Sequence, residues 1–152
     1  MITTNLETLR LKSLDFDGTP EELTQLFNCL EFELHNSQNG GDGLSAIQIN
    51  VPTRVSIIRT KNLKINLYNP EIVKKEQLFV FTGEGCISIP QKFVNTNRYN
   101  LIEIKNGDGT THKFSGYEAV VVQHELDHFD GITILDKRLA KEPEPKEKEL
   151  VI

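Results

Sequence analysis

One stretch near the C-terminal end, Gln123–His128, constrains this chain more than any other. It reads Gln-His-Glu-Leu-Asp-His. Residues four apart lie one turn apart on the same face of a helix, so His124 and His128 can direct both imidazoles at a single ion. Glu125 lies at the edge of that face, where a carboxylate can take a proton from a water on the ion. The motif predicts a metal site with a catalytic carboxylate beside it.

An amphipathic helix can also carry two solvated histidines four residues apart. The residues before the motif argue against this alternative, because the run Ala119–Val122 is apolar throughout. Such a run predicts that the first half of the helix is buried. Buried imidazoles need partners, and a metal ion is one.

The length and composition predict a single domain. With 152 residues and 38% hydrophobic content, the chain is long enough for one core and short for two. We expect one catalytic domain over residues 1–140 and a charged tail over residues 141–152. Most of the tail is charged or proline, so we expect it to be mobile and outside the core.

The charge distribution and the hydropathy argue against two classes of partner. The net charge is -5, and no basic stretch is interleaved with aromatic residues, so we expect no nucleic-acid binding. The N-terminus has no signal-peptide pattern, and no segment has the length to span a bilayer, so we expect no membrane partner. Two cysteines are too few for a disulfide framework. We therefore expect a cytoplasmic protein with free thiols.

The local patterns predict an α+β fold. Thr19–Glu22 joins an N-cap threonine, a proline at the first helical position and a glutamate three residues after the cap, which predicts an N-terminal helix. Ser115–Glu118 predicts the start of the helix with the motif, and Asn106–Gly109 predicts a hairpin turn. Short apolar stretches between turns predict strands. We expect mainly antiparallel short strands packed around the central motif helix, with the N-terminal helix in addition.

A hydrolytic metal site usually has three protein ligands, so a third ligand is needed. One class of metalloproteases has the extended motif His-Glu-x-x-His-x-x-Gly-x-x-His. This chain has its glycine, at Gly131, but has Ile134 where the third histidine is needed. Every downstream glutamate that could serve lies in residues 142–149 of the tail, where no amphipathic helix is evident. The upstream candidate is Cys86, which follows a glycine and precedes Pro90. A thiolate and two imidazoles would make a tight site.

Three segments together resemble the peptide deformylase family. Members share a Gly-x-Gly-x-Ala-Ala-x-Gln segment, a Glu-Gly-Cys-x-Ser segment and a Gln-His-Glu-x-x-His helix, found here at Gly41–Gln48, Glu84–Ser88 and Gln123–His128. Their order and spacing also match, and the resemblance covers about Pro20–Leu135. The chain is similar to short members without a C-terminal helix, of the kind that bacteriophages encode.

The resemblance implies an enzyme that removes the formyl group from the N-terminal formyl-methionine of nascent polypeptides and releases formate. It implies Cys86, His124 and His128 as ligands of one divalent ion. In the family the native ion is usually Fe2+, and Zn2+, Ni2+ or Co2+ can occupy the site. A Cys/His/His set does not choose among these metals by itself.

The resemblance also implies how the residues share the reaction. Glu125 accepts a proton from the attacking water and returns it to the leaving amine. The Gln48 side-chain amide and the backbone N–H of Ile87 stabilise the negative charge on the formyl oxygen. Glu84 and Arg98 are expected to orient the metal-binding imidazoles through hydrogen bonds.

Other residues are expected to contact the substrate, which is an N-formyl-methionyl peptide. Val120 and Val121 precede His124 by about one turn, and either line a pocket for the methionine side chain or pack in the core. The glycine segment is expected to lie against the bound peptide. It comprises Gly41, Asp42, Gly43 and Leu44.

The chain departs from the family pattern at three positions beside the expected peptide. The family has an apolar residue at Asp42, an alanine at Ser45 and often an arginine at Phe93. These changes leave the chemistry untouched, and they predict a weak dependence on acidic residues after the methionine, because a carboxylate is added and a cation is lost.

The expected setting of the enzyme is the bacterial cytosol, including that of a phage-infected host. Many bacterial members continue into a C-terminal helix that docks on the ribosome, whereas this chain passes into its charged tail. Ribosome docking by that route is therefore not expected. We expect the chain to be a monomer.

Two other functions fit part of the sequence. A small metallopeptidase is opposed by the missing downstream ligand and by the Gly41–Gln48 segment. A non-catalytic metal-containing module that binds formyl-peptides is opposed by the intact Glu125. Comparing hydrolysis of peptides with hydrolysis of formyl-peptides would separate these alternatives.

Overall fold

Two β-sheets surround one buried helix in the computed structural model, which describes residues 1–145 and 150–152. The helices are α1 (Leu6–Leu9), α2 (Pro20–His35), α3 (Gly116–Phe129) and α4 (Ile134–Lys137), with a 3-10 helix at Ala46–Ile49. The strands are β1 (Gly43–Ser45), β2 (Val55–Arg59), β3 (Lys64–Tyr68), β4 (Glu71–Cys86), β5 (Ile89–Lys105), β6 (Thr111–Ser115) and β7 (Leu150–Val151). Among the described residues, no helix has the length and apolar character to cross a bilayer.

The sheets are antiparallel except at one edge. The first sheet has the order β1-β2-β3, and the second has the order β6-β5-β4-β7, in which only β7 is parallel to its neighbour β4. The predicted α+β class is confirmed. Strands β4 and β5, of 16 and 17 residues, are longer than the short strands that the sequence indicated. Bulges lie between Ile72 and Lys74 and between Phe81 and Glu84. Each bulge shifts which face of the sheet the following side chains point to, so the alternating pattern in the sequence is interrupted although the strand continues.

Helix α3 lies between the two sheets. Ten of its 14 residues are buried, and it packs against β5 and β6 on one side and β1 and β2 on the other. A helix with buried residues on every face belongs in the interior of a protein. The start predicted at Ser115 is confirmed, since Ser115 is the N-cap. The motif is therefore held in the interior, between the sheets.

Helix α2 begins as predicted and covers the first sheet. The Thr19 hydroxyl accepts a hydrogen bond from the Glu22 amide at 3.1 Å, and the Glu22 carboxylate accepts one from the Thr19 amide at 3.2 Å. Its leucines, with Leu30 fully buried, pack in a cluster with Leu44, Val55 and Ile57 of the first sheet. This packing supports the glycine segment at the start of β1.

The last three residues contradict the expectation for the tail. Leu150 and Val151 pair with Glu84 and Gly85 of β4, and the Ile152 side chain is fully buried. The expectation that the tail lies outside the core is therefore wrong for Leu150–Ile152, because an apolar β-forming end follows the charged run. Residues 146–149 lie outside the described residues. The division at residue 140 stays a prediction.

Replacing the α2 cap, Thr19→Ala, should lower the free energy of unfolding by about 1 kcal/mol, because the Glu22 amide loses its acceptor. Chemical denaturation measures this change. Thr24→Ala is the matched control: Thr24 is exposed on the same helix, and alanine there should leave stability unchanged or slightly raised. Equal losses in the two variants would contradict the capping role.

Candidate metal centre

Three ligand groups from two elements converge in the interior. Helix α3 supplies His124 and His128 from successive turns, and β4 supplies Cys86 at its last residue. Their ligand atoms all lie within 4.8 Å of one another, and all three side chains are buried. The third ligand proposed from the sequence, 38 positions away from His124, thus reaches the motif in space.

The geometry of this group fits a metal ion. The Cys86 Sγ lies 3.6 Å from the His128 Nε2. A thiolate at about 2.3 Å and an imidazole nitrogen at about 2.0 Å from one tetrahedral ion would be separated by about 3.5 Å, close to this distance. The His124 Nε2 is buried and has no hydrogen-bond partner within the described residues. Burying an unpaired nitrogen is costly unless a ligand satisfies it, so the donor set matches a bound cation.

The carboxylate of Glu84 orients one of the two imidazoles. The His124 Nδ1 lies 2.7 Å from the Glu84 Oε2. An ionised carboxylate only accepts hydrogen bonds, so Nδ1 carries the proton and Nε2 is left as the ligand atom. His128 lacks this support, since its Nδ1 has no partner in the part of the chain that the structure describes.

Glu84 is itself held from the neighbouring strand. Arg98 donates to both of its oxygens, from Nε at 2.9 Å and from Nη2 at 2.6 Å, and the Thr96 hydroxyl donates at 2.6 Å. Arg98 also donates from Nη1 to Asp127 of α3 at 2.7 Å. A buried carboxylate with four hydrogen bonds is fully satisfied, and it joins β4, β5 and α3 at the ligands.

The electrostatics of the centre favour a positive charge. Burial by itself would raise the pKa of Glu84, but the hydrogen bond from His124 and the charge of Arg98 bring it far below its usual value. Burial would lower the pKa of His124, but Cys86 and Glu84 raise it well above the usual value. Burial and the charge of His124 lower the pKa of His128. The centre therefore accommodates one positive charge readily, and a metal ion can supply it.

The carboxylate of Glu125 is buried beside this centre. Both of its oxygens lack a hydrogen-bond partner within residues 1–145 and 150–152. Burial raises its pKa to about 7, against the opposing charge of His124. Gly43 makes room for this side chain, because a Cβ there would lie 3.0 Å from the Glu125 Cγ and 3.1 Å from its Oε2. A buried carboxylate without partners, next in the chain to a metal ligand, can exchange a proton with a substrate.

Gln48 is held by two hydrogen bonds. Its Oε1 accepts from the Ser45 amide at 2.9 Å, and its Nε2 donates to the Ser88 hydroxyl at 2.9 Å. The amide nitrogen carries two hydrogens, and Ser88 takes one of them. The sequence did not assign this role to Ser88, although its place in the Glu84–Ser88 motif was a signal for it.

The glycine segment lies between α2 and the end of β4. Gly41 has a φ of 122°, and a Cβ there would come within 3.0 Å of the Ile87 side chain. Asp42 accepts a hydrogen bond from the Tyr117 hydroxyl, so its carboxylate is already paired. Leu44 is fully buried and packs with Ile87.

Three predicted residues lie away from open solvent. Val120 and Val121 are fully buried in the main core cluster, which also contains Ile152. The Ile87 amide donates to the main-chain oxygen of Ile152 at 3.1 Å. Their predicted roles in substrate binding and in stabilising the formyl oxygen stay predictions, and the involvement of Ile152 was not expected.

The comparison with known families decides the assignment. Residues 1–144 match the family model described as polypeptide deformylase. The chain belongs to the polypeptide deformylase family. Family membership confirms the resemblance found in the sequence, and it makes this deformylase a hydrolase that removes the formyl group of nascent polypeptides in a metal-dependent reaction. The Cys86, His124 and His128 group agrees with a divalent metal site in such an enzyme.

Individual relatives agree with the family assignment. A peptide deformylase of Aquifex aeolicus is 37% identical over 141 residues, which cover 86% of this chain and 82% of that protein. The crystal structure of the Thermotoga maritima peptide deformylase matches with a TM-score of 0.81 at 28% identity, over 91% of this chain and 97% of that one. A probable peptide deformylase from synechococcus phage S-SSM7 matches with a TM-score of 0.75 at 31% identity, over 90% and 98%.

Removing the guanidinium with Arg98→Gln should lower the free energy of unfolding by about 3–5 kcal/mol, because the buried Glu84 loses its counterion. Chemical denaturation of the purified deformylase measures the loss. The control is Lys74→Gln, whose ion pair with Glu76 is exposed at both ends and should contribute less than about 1 kcal/mol. A small loss in Arg98→Gln would contradict the dependence of the centre on this pair.

Proposed function

We propose that this deformylase acts on N-formyl-methionyl peptides of nascent chains, with Glu125 transferring the protons beside an ion held by Cys86, His124 and His128. One observation carries the proposal: the Glu125 carboxylate is fully buried without a partner among the described residues, and Glu125 directly follows the ligand His124 in the chain. A structural carboxylate would be paired at this depth, because burying an unpaired one is costly.

The proposed resident metal is Fe2+, with Zn2+, Ni2+ and Co2+ as alternatives that the same ligands accept. When bound, the ion would polarise the formyl oxygen and make a water more acidic. The chain contributes the buried thiol of Cys86 and two imidazoles, of which His124 is held by Glu84 at 2.7 Å. This support keeps the Nε2 of His124 directed at the ion and should raise the affinity of the site.

Glu125 is proposed to act first as a base and then as an acid. Its carboxylate takes a proton from the water whose oxygen forms the new bond to the formyl carbon. When the bond between the formyl carbon and the methionine nitrogen breaks, the carboxylate returns the proton to that nitrogen, so formate and a free amine leave. Gly43 keeps the carboxylate in place, because its missing side chain leaves the space that Glu125 fills.

Two donors are proposed to stabilise the formyl oxygen as it gains negative charge. One is the side-chain amide of Gln48, which Ser45 and Ser88 hold in a fixed orientation. The other is the backbone N–H of Ile87. Donors that are already oriented do not need to reorganise during the reaction, which makes them effective.

The substrate is proposed to lie between Gly41–Leu44 and the end of β4, with the methionine side chain directed at Val120 and Val121. Asp42 beside this path is paired with Tyr117, and we propose only a weak dependence on acidic residues after the methionine. The proposed setting is the cytosol of a bacterium or of its phage-infected form, with the chain acting as a monomer. The likeness to a phage protein supports the second of these settings.

Glu125→Gln should reduce formate release from a formyl-methionyl tripeptide by about 10²–10⁴-fold, because the amide cannot take the proton. The assay uses protein purified anaerobically and loaded with Fe2+, with bound metal measured in each variant. Glu118→Gln, in the first turn of the same helix, should keep wild-type turnover.

Four outcomes separate the alternatives. Loss of turnover with metal retained supports the proton-transfer role of Glu125. Full turnover in Glu125→Gln would contradict that role. Binding of the formyl-peptide without formate release, in fully metallated wild type, would favour the binding module, and cleavage of an unformylated peptide would favour the metallopeptidase.

A further inference from the structure

The end of β4 forms main-chain hydrogen bonds on both of its sides. Strand β5 pairs with one side, and the C-terminal segment Leu150–Ile152 pairs with the other. On the other side, the Ile152 amide donates to the Gly85 carbonyl at 3.1 Å, and the Ile87 amide donates to the Ile152 main-chain oxygen at 3.1 Å. Without Leu150–Ile152, this edge would present free backbone groups, which are a ready template for an extended peptide.

This edge coincides with the proposed path of the substrate. The Ile87 N–H, proposed to stabilise the formyl oxygen, is taken by Ile152. The Ile152 side chain is fully buried in the cluster that contains Val120 and Val121, which are the residues proposed to receive the methionine side chain. Ile152 thus occupies both the proposed position of the formyl oxygen and the proposed position of the methionine side chain.

The neighbouring residue, Val151, lies close to the metal ligand Cys86. Val151 packs with the cluster that contains Leu44 and Ile87. It also lines a cavity of about 230 Å³ that reaches Cys86. The segment Leu150–Ile152 thus pairs with β4, packs against the cluster of Leu44 and Ile87, and borders the cavity at Cys86.

The backbone of β4 is shaped for a close neighbour here. A Cβ at Gly85 would lie 2.8 Å from the Leu150 carbonyl oxygen, so the glycine allows the two main chains to approach. Along the segment, the side chain of Leu150 is 38% exposed whereas that of Ile152 is fully buried. Main-chain hydrogen bonds combined with one inserted side chain are typical of a peptide added to a sheet edge.

We propose that Leu150–Ile152 is an internal competitor that occupies the peptide-binding edge of β4 and must leave before a substrate binds. This inference rests on the proposed function, since it takes the substrate to bind at that edge. A segment tethered to the same chain competes at a high effective concentration. If the edge is free in about one molecule in ten, the apparent affinity for a substrate falls about tenfold.

Competition by Leu150–Ile152 should weaken substrate binding and leave the rate of the chemical step unchanged. Once the segment has left, the ligand groups, Glu125 and Gln48 are the same as in a chain without it. A weaker segment should therefore lower the KM for a formyl-methionyl peptide and leave kcat unchanged. A damaged active site would lower kcat instead.

The test replaces the inserted side chain with Ile152→Asp, because a carboxylate is costly to bury in that cluster. Leu150→Ser is the matched control, since it removes an apolar side chain of the same segment that does not enter the cluster. Calorimetry measures the affinity of each protein for a formyl-methionyl tripeptide in a Glu125→Gln background, where turnover does not interfere. KM and kcat are measured with Glu125 intact, and hydrogen exchange reports the Ile87 amide.

We expect Ile152→Asp to bind the tripeptide about tenfold more tightly than the wild type and Leu150→Ser do, with a matching fall in KM, an unchanged kcat and faster exchange at Ile87. Equal affinity in all three proteins would overturn the competition and leave the proposed function standing. Absence of tripeptide binding to all three would overturn the proposed function, and the competition with it. Unchanged exchange at Ile87 would overturn the occupancy of the edge.

Discussion

The buried ion pair between Glu84 and Arg98 is the interaction on which the centre depends. A carboxylate in the interior is stable only when its oxygens are paired, and here Arg98, Thr96 and His124 supply those partners. These contacts have two consequences. They connect β4, β5 and α3 where the ligands converge, and they fix which nitrogen of His124 faces the ion. The stability of the fold and the geometry of the metal site therefore have a common origin.

The four consecutive residues Glu84–Ile87, at the end of β4 and just after it, have four different roles. Glu84 orients an imidazole, Gly85 allows another main chain to approach, Cys86 supplies a ligand group, and the Ile87 N–H donates to the main chain of Ile152. The candidate metal site and the β4 edge are thus parts of one short segment, so a peptide paired with that edge would have its end beside the ligand groups. Leu150–Ile152 pairs with this same edge and therefore lies next to Cys86.

The sequence predicted the features that depend on short spacing, and it missed those that depend on distant residues. His124, Glu125 and His128 share one helical turn, and the Thr19–Glu22 cap is local, so both could be inferred from the sequence. Cys86 required a family motif as well. The contact of Thr96 with Glu84 joins side chains that no motif relates, and the contact of Ser88 with Gln48 joins two motifs that lie far apart in the chain. The burial of Ile152 was not predicted, because the charged run before it suggested that the whole tail lies outside the core.

X-ray absorption spectroscopy of the metallated protein tests most directly whether Cys86, His124 and His128 bind one metal ion. We expect about one ion per chain, with one sulfur at about 2.3 Å and two imidazole nitrogens at about 2.0–2.1 Å when zinc is bound. The sulfur signal should vanish in Cys86→Ser. It should persist in Cys29→Ser, because Cys29 is exposed and is not one of the ligands. A spectrum without sulfur in the wild type, or a sulfur signal that survives Cys86→Ser, would contradict the account.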